Sequence, residues 1–177
     1  MRQLLLLRHA KSNWADAALT DHDRPLDAEG HAGAATMHRA FHSLGLAPDL
    51  VLVSSSRRTR ETLERLEPLP APARVIRSPD LYLATPRQIL DQVAALPADT
   101  QSVLVIAHNP GLHDLAMMLA GAHQMAQGVG GAGRLARGFP TAALAEFSVA
   151  GGWHDLPEGA RMVRFLTPSD IGQAATK

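Results

Sequence analysis

An arginine and a histidine stand side by side at positions 8 and 9, directly after four leucines, Leu4–Leu7. A second histidine, His108, follows the apolar run SVLVIA, and the arginine-rich stretch RRTRET follows LVLVSSS. A neutral imidazole nitrogen is a competent nucleophile toward phosphorus, giving a covalent intermediate that water later hydrolyses. Arginines supply what phosphoryl transfer needs most, positioning and stabilisation of charge on the equatorial oxygens. Neighbouring arginine charge disfavours the imidazolium and keeps His9 neutral, whereas His108 serves best as a cation that donates to phosphoryl oxygens. Singly, each histidine reads as an ordinary residue at a strand end. Together they make an anion site if the chain gathers them.

Gathering them is a matter of strand direction. Strand patterns cover Gln3–Arg8, Leu50–Val53, Arg74–Arg77 and Ser102–Ala107, and helical patterns cover Asp27–Leu44, Arg57–Leu66 and Pro86–Leu96. Asp27 suits a helix N-cap, and Gly45 suits the position past a helix end that favours positive φ. Strands apolar on both faces and separated by helices predict an α/β domain with three layers, a mostly parallel central sheet covered by helices on both sides. Open parallel sheets bind ligands beyond the carboxyl ends of their strands. The charged groups sit at such ends, and helix N-termini after Ser56 and Pro110 would add backbone donors there. The glycine-rich stretch Gly121–Pro140 reads as a long loop or lid, followed by two late strands joined by a turn. With no repeat and no linker, residues 1–177 are expected to form a single domain.

Composition narrows the classes. Apolar residues make up 46% and charged residues 19%, an ordinary globular balance. Lysine plus arginine and aspartate plus glutamate are both 17, so a net charge of +0 gives no general attraction to nucleic acid or membrane. The absence of cysteine excludes disulfides, thiolate catalysis and zinc ribbons. The apolar run Leu4–Leu7 is too short for a signal peptide, and no stretch approaches the ~18 residues of a membrane span. A cytoplasmic domain is the expectation.

The ordered segments LLLLRHAKS, DHDRPLDAEG, LVSSSRRTRET and VLVIAHNPGL resemble the successive motifs of the histidine phosphatase superfamily, and within it the SixA-type phosphohistidine phosphatases. LYLATP, FPTAALAEF and RFLTPSDI also resemble that subgroup. The resemblance implies a phosphoglycerate mutase-like fold in which Arg8, Arg58 and His108 bind the phosphoryl group and His9 accepts it. Arg58, rather than Arg57 or Arg60, fits the family pattern Arg-small-x-x-Thr, ending here at Thr62. Arg58 and Thr62 share a helix face, while Arg60 and Glu64 read as an i,i+4 surface pair. Ser12 stands where the family has a hydroxyl near the phosphate, though it reads equally as a loop cap, and Asn109 is the other expected substrate contact.

Larger members carry a catalytic acid beside the second histidine or after the third strand. Here those places hold Asn109 and, in SPDLYLATP, Tyr82, with Asp80 the nearest carboxylate to nominate. A phosphate ester needs its alkoxide protonated, whereas a phosphohistidine leaving group can be protonated on its own ring, so the departure favours an N–P substrate. Lys11 reads as a rim charge, and Asp21 and Arg24 as residues holding a loop over the site. His31, His38 and His42 share a helix face with no carboxylate, and solvent exposure suits them better than metal binding. No metal or cofactor is expected. The expected partner is a phosphorylated protein, such as a histidine-phosphotransfer protein, or a small phosphorylated substrate. The alternatives are an ester phosphatase with Gly121–Pro140 as its lid, and a non-enzymatic phosphate-binding module, for which a nucleophile would be superfluous.

Overall fold

A computed structural model describes residues 1–174. Its six strands are β1 (Arg2–Arg8), β2 (Leu50–Ser54), β3 (Arg74–Ser78), β4 (Ser102–Ala107), β5 (Leu144–Val149) and β6 (Ala160–Leu166), in the sheet order β3-β2-β4-β1-β5-β6. The first four in that order run parallel, and β5 pairs antiparallel with both β1 and β6. The helices are α1 (Ala28–Leu44), α2 (Arg57–Leu66), α3 (Pro86–Ala94), α4 (Gly111–Gln127), α5 (Ala132–Leu135), α6 (Leu156–Gly159) and α7 (Pro168–Ala174). Among the described residues no helix is long and apolar enough to cross a membrane.

The run of four leucines follows from this arrangement. Successive side chains of a strand point to opposite faces, and both faces of β1 are covered. Leu5 and Leu7 join Val51, Val53, Leu104 and Ile106 against Met37 and Phe41 of α1 and Leu63 and Leu66 of α2. Leu4 and Leu6 join Leu52, Val103 and Val105 against Ile89 of α3 and Leu112 and Leu115 of α4. Burying a leucine fully is worth ~1.5–3 kcal/mol, so β1 is held tightly from both sides. A charge at Leu5 or Leu6 would have no polar partner and would break the sheet at its centre.

Two expectations change. The segment 121–140 is largely helical: α4 continues across a kink at Gly121 (φ 65°, ψ 160°), and a 3-10 turn at Val129–Gly131 leads into α5. Ala132, Leu135 and Phe139 are buried there, so packing overrides the weak helical propensity of the glycines. Gly130 adopts φ 60°, and a Cβ on it would lie 2.8 Å from the Val163 carbonyl oxygen. Only glycine allows so close an approach to β6. The link between β5 and β6 is likewise more than a turn, holding a 3-10 turn at Trp153–Asp155 and then α6. Leu44, in the last turn of α1, is 40% exposed.

Candidate active site

Because β4 lies between β2 and β1, three neighbouring strands deliver their carboxyl ends to one place. Arg8 pairs in register with Ala107, so the chains leave the sheet side by side at His9 and His108. Their ring centroids are 5.1 Å apart. On the far side of β4, β2 ends at Ser54, and the Ser56 side chain caps α2 by accepting from the Thr59 N–H. That cap sets Arg58 in the first helical turn, buried and aimed between the histidines. Behind His108, α4 begins at Gly111, where a Cβ would lie 1.8 Å from the Ala84 carbonyl oxygen. The helix can therefore abut the 82–84 segment.

Arg58 is the hub. Its Nε–H donates to His9 Nε2 at 3.3 Å, and its Nη2 to His108 Nδ1 at 3.3 Å. These bonds fix both tautomers. His9 Nδ1–H donates to the Ala10 carbonyl at 2.7 Å, leaving Nε2 as the lone pair, and His108 Nε2–H donates to Ser54 Oγ at 2.8 Å. Burial lowers His9 from 6.5 to about 4, and the charges of Arg58, Arg8 and Arg24 act in the same direction. Burial lowers His108 to about 3, with His9 and Arg58 adding to it. Both histidines are thus neutral in the free protein, and a cationic His108 requires the charge of a bound phosphoryl group.

The carboxylate that lines the cavity is not Asp80, nominated from the sequence as a catalytic acid, but Asp21. Its Oδ1 accepts from Arg24 at 2.8 Å, and its Oδ2 from Arg58 at 3.1 Å and from the Tyr82 hydroxyl at 2.5 Å. The Tyr82 bond, reinforced by Arg24 and Arg58, lowers its pKa to about 2. It is therefore an anion that orients Arg58, not a proton donor. Arg24, itself buried, also donates to the Asn13 carbonyl and to Ser12 Oγ, so Ser12 sits at the site with its oxygen engaged by Arg24. Asp80 is exposed in the 3-10 turn at Pro79–Leu81 and lines no part of the cavity. The three-residue spacing of Asp21 and Arg24 was the signal that could have marked this clamp.

The cavity, about 410 Å³, is lined by Arg8, His9, Arg58, Asp21, Arg24 and Trp14 among others. Arg8 Nη1 donates to the Phe139 carbonyl at 2.9 Å, while its Nε is buried without a partner. A buried guanidinium donor with this geometry suits an anion-binding role. Asn109 does not line the cavity; its Nδ2 donates to the same Phe139 carbonyl at 3.0 Å. Thr62 fastens the nucleophile's loop to α2, accepting from the Ala10 N–H at 3.0 Å and donating to the Arg58 carbonyl at 2.6 Å. Lys11 lies at the rim, paired with Glu29.

The histidines of α1 lie at the surface, His42 exposed and His31 and His38 partly so, and each also ties α1 to α2 or the segment after it. His38 bonds the Leu66 carbonyl, His42 the Pro68 carbonyl, and His31 accepts from Arg65. No group of three or more potential metal ligands occurs among the described residues. The i,i+4 pair that forms on α2 is Arg57–Glu61 instead of Arg60–Glu64.

Residues 4–81 match the family description "Histidine phosphatase superfamily (branch 1)". An uncharacterized protein of Mycobacterium tuberculosis (strain ATCC 25618 / H37Rv) is 34% identical over 163 residues, 92% of this chain and 99% of that protein. An uncharacterized chloroplastic protein of Arabidopsis thaliana is 37% identical over 131 residues, 68% of this chain but only 60% of the plant protein. The structure of a proposed phosphohistidine phosphatase SixA from Nakamurella multipartitia superposes with a TM-score of 0.81 at 31% identity, covering 94% of this chain and 96% of that one. A protein histidine phosphatase SixA complexed with tungstate shares the fold, with a TM-score of 0.77 at 23% identity over 96% of this chain and 99% of that one.

Proposed function

Because this chain belongs to the histidine phosphatase superfamily, we propose that it is a phosphohistidine phosphatase working through a covalent intermediate on His9. The observation that carries this is the His9 lone pair, buried, unprotonated and aimed at Arg58, with Nδ1–H anchored behind it. An incoming phosphoryl group replaces His9 Nε2 as the partner of Arg58 and takes the free Nε–H of Arg8. His9 Nε2 then attacks phosphorus in line while the substrate's P–N bond breaks, and the leaving imidazole departs neutral, carrying the proton already on its other nitrogen. Arg8 and Arg58 hold the charge on the equatorial oxygens. The dianion also favours a proton on His108 Nδ1, converting it from acceptor to donor. Water next attacks the phosphorus on His9, the new P–N bond breaks, and inorganic phosphate leaves with the water's oxygen.

The substrate class is supported by what the site does not offer. Asp21, ionised and held by three side chains, has no proton to give an alkoxide. The likeness to the proposed SixA of Nakamurella points to the same substrate. A quench without acid after mixing with a phosphohistidine protein should yield a chain phosphorylated on His9, and His9→Ala should lose both label and turnover. Phosphate found on another residue, or alkyl phosphates turned over as fast as phosphohistidine, would overturn the proposal.

A further inference from the structure

Beyond the phosphoryl pocket the cavity has a rim that the chemistry above does not use. Trp14 is 76% exposed and Leu83 54% exposed, and both line the same cavity as His9. Neither is loosely placed. The Trp14 ring lies on the guanidinium of Arg24, whose Cζ is 3.1 Å from the ring centroid. That guanidinium is fixed edge-on by Asn13, Asp21 and Ser12, so one indole face is anchored and the other left to solvent. Leu83 has φ 50°, a left-handed conformation costly for a residue with a Cβ. Its neighbours explain why: the Tyr82 hydroxyl is tied to Asp21, and Ala84 is buried against the start of α4. The chain is pinned on both sides, and Leu83 is forced outward.

The charged groups at this rim are already engaged. Arg24 uses its donors within the protein, and Lys11 is paired with Glu29. A sugar or glycerol leaving group would lose water from its hydroxyls and find few partners. A flat ring covers apolar surface with its faces, which carry no hydrogen-bonding groups, and keeps its polar nitrogens at the edge. Resting on the function proposed above, we infer that Trp14 and Leu83 form the leaving-group subsite and that it takes the imidazole ring of a phosphohistidine carried on a protein. The exposure of both residues lets a ring projecting from a macromolecular surface reach His9, the ring stacking on the free indole face within the cavity that Leu83 also lines.

The test compares two N–P substrates, a phosphohistidine protein and phosphoramidate, which has the bond but no ring. In Trp14→Ala the ratio of their kcat/KM values should fall at least about fivefold, the lower end of what loss of one aromatic stacking platform costs. Trp14→Phe should restore most of the ratio. An unchanged ratio in Trp14→Ala, with His9 still phosphorylated by phosphoramidate, would overturn the subsite while leaving the phosphatase intact. Failure of either substrate to label His9 in the unmutated chain would instead remove the function on which the subsite rests. Free phosphohistidine as a third substrate separates the sources: dependence on Trp14 for the free amino acid but not for the protein would refute a protein-borne ring.

Discussion

Acidification should destabilise this protein through its own nucleophile. His9 titrates at about 4 in the folded chain against 6.5 for an ordinary histidine. Above pH 6.5 both folded and unfolded forms are neutral, and stability is at its full value. As pH falls from about 6.5 to about 4 the unfolded chain takes up a proton that the folded chain refuses, so stability drops throughout that window. At 1.36 kcal/mol per tenfold change, the loss from His9 amounts to about 3 kcal/mol. His9→Asn removes this titration while keeping a polar side chain. The stability of the unmutated protein minus that of the variant should therefore decline by about 3 kcal/mol between pH 7.5 and pH 4, on the order of 6–12 °C in Tm for a chain of this size. Thermal unfolding followed by circular dichroism in buffers free of phosphate measures it. Because His108 is also held neutral, both proteins will lose some stability in acid, and only the difference isolates His9. Two curves that run parallel across the window would refute the assignment of a buried, neutral nucleophile. The kinetic counterpart is an acid limb of kcat/KM near pH 4 in place of 6.5.

Asp21→Asn keeps the shape of the clamp and removes its charge. Depression from 3.8 to about 2 would be worth roughly 2 kcal/mol taken whole, but the carboxylate is 42% exposed and screening leaves about 1 kcal/mol. The variant should lose that much at pH 7, with the gap closing as pH falls from about 4 to about 2; an unchanged Tm at pH 7 would count against the clamp. Arg58→Lys keeps the charge but not the fork that reaches His9, His108 and Asp21, so kcat/KM should fall by about 10²-fold or more, whereas exposed Arg60→Ala should stay within a few fold. Thr62→Val strands the buried Ala10 N–H, costing ~1–3 kcal/mol, and hydrogen exchange at that amide should speed up measurably.

The sheet was legible because its central strands β1, β2 and β4 are buried on both faces and bounded by capped helices, which is why Ser102–Ala107 and Arg57–Leu66 fall where the patterns put them. The convergence of His9, His108 and the RRTRET stretch followed from strand polarity, and the family pattern singled out Arg58 within that stretch. Two things were hidden. Residues 121–140 carry so many glycines that local propensity argued for a loop, and only the burial of Leu135 and Phe139 against the sheet shows otherwise. The Asp21 carboxylate was read as a loop fastener, since nothing in a linear chain says that residue 21 meets Tyr82 and Arg58. Asp80, closer in sequence to the expected position, points elsewhere because the 3-10 turn faces it to solvent. Asn109 faced a similar ambiguity: a side chain next to a catalytic histidine can serve the backbone, and here it serves Phe139.

The pairing of Arg8 with Ala107 makes the sheet a ruler. Adjacent strands are held ~4.8 Å apart by their hydrogen bonds, and the two imidazoles that leave them stand 5.1 Å apart. The gauge of the anion clasp is thus a property of backbone spacing, indifferent to which apolar residues fill the strands behind it. Side chains in β1 and β4 are free to drift so long as they stay apolar and of similar volume. Length is not: deleting a single residue from β1 turns the alternation over, sends the His9 side chain to the opposite face and presents its neighbour in its place. Changes at this site's rim retune which leaving group it accepts, whereas the clasp itself changes only by re-registering the sheet.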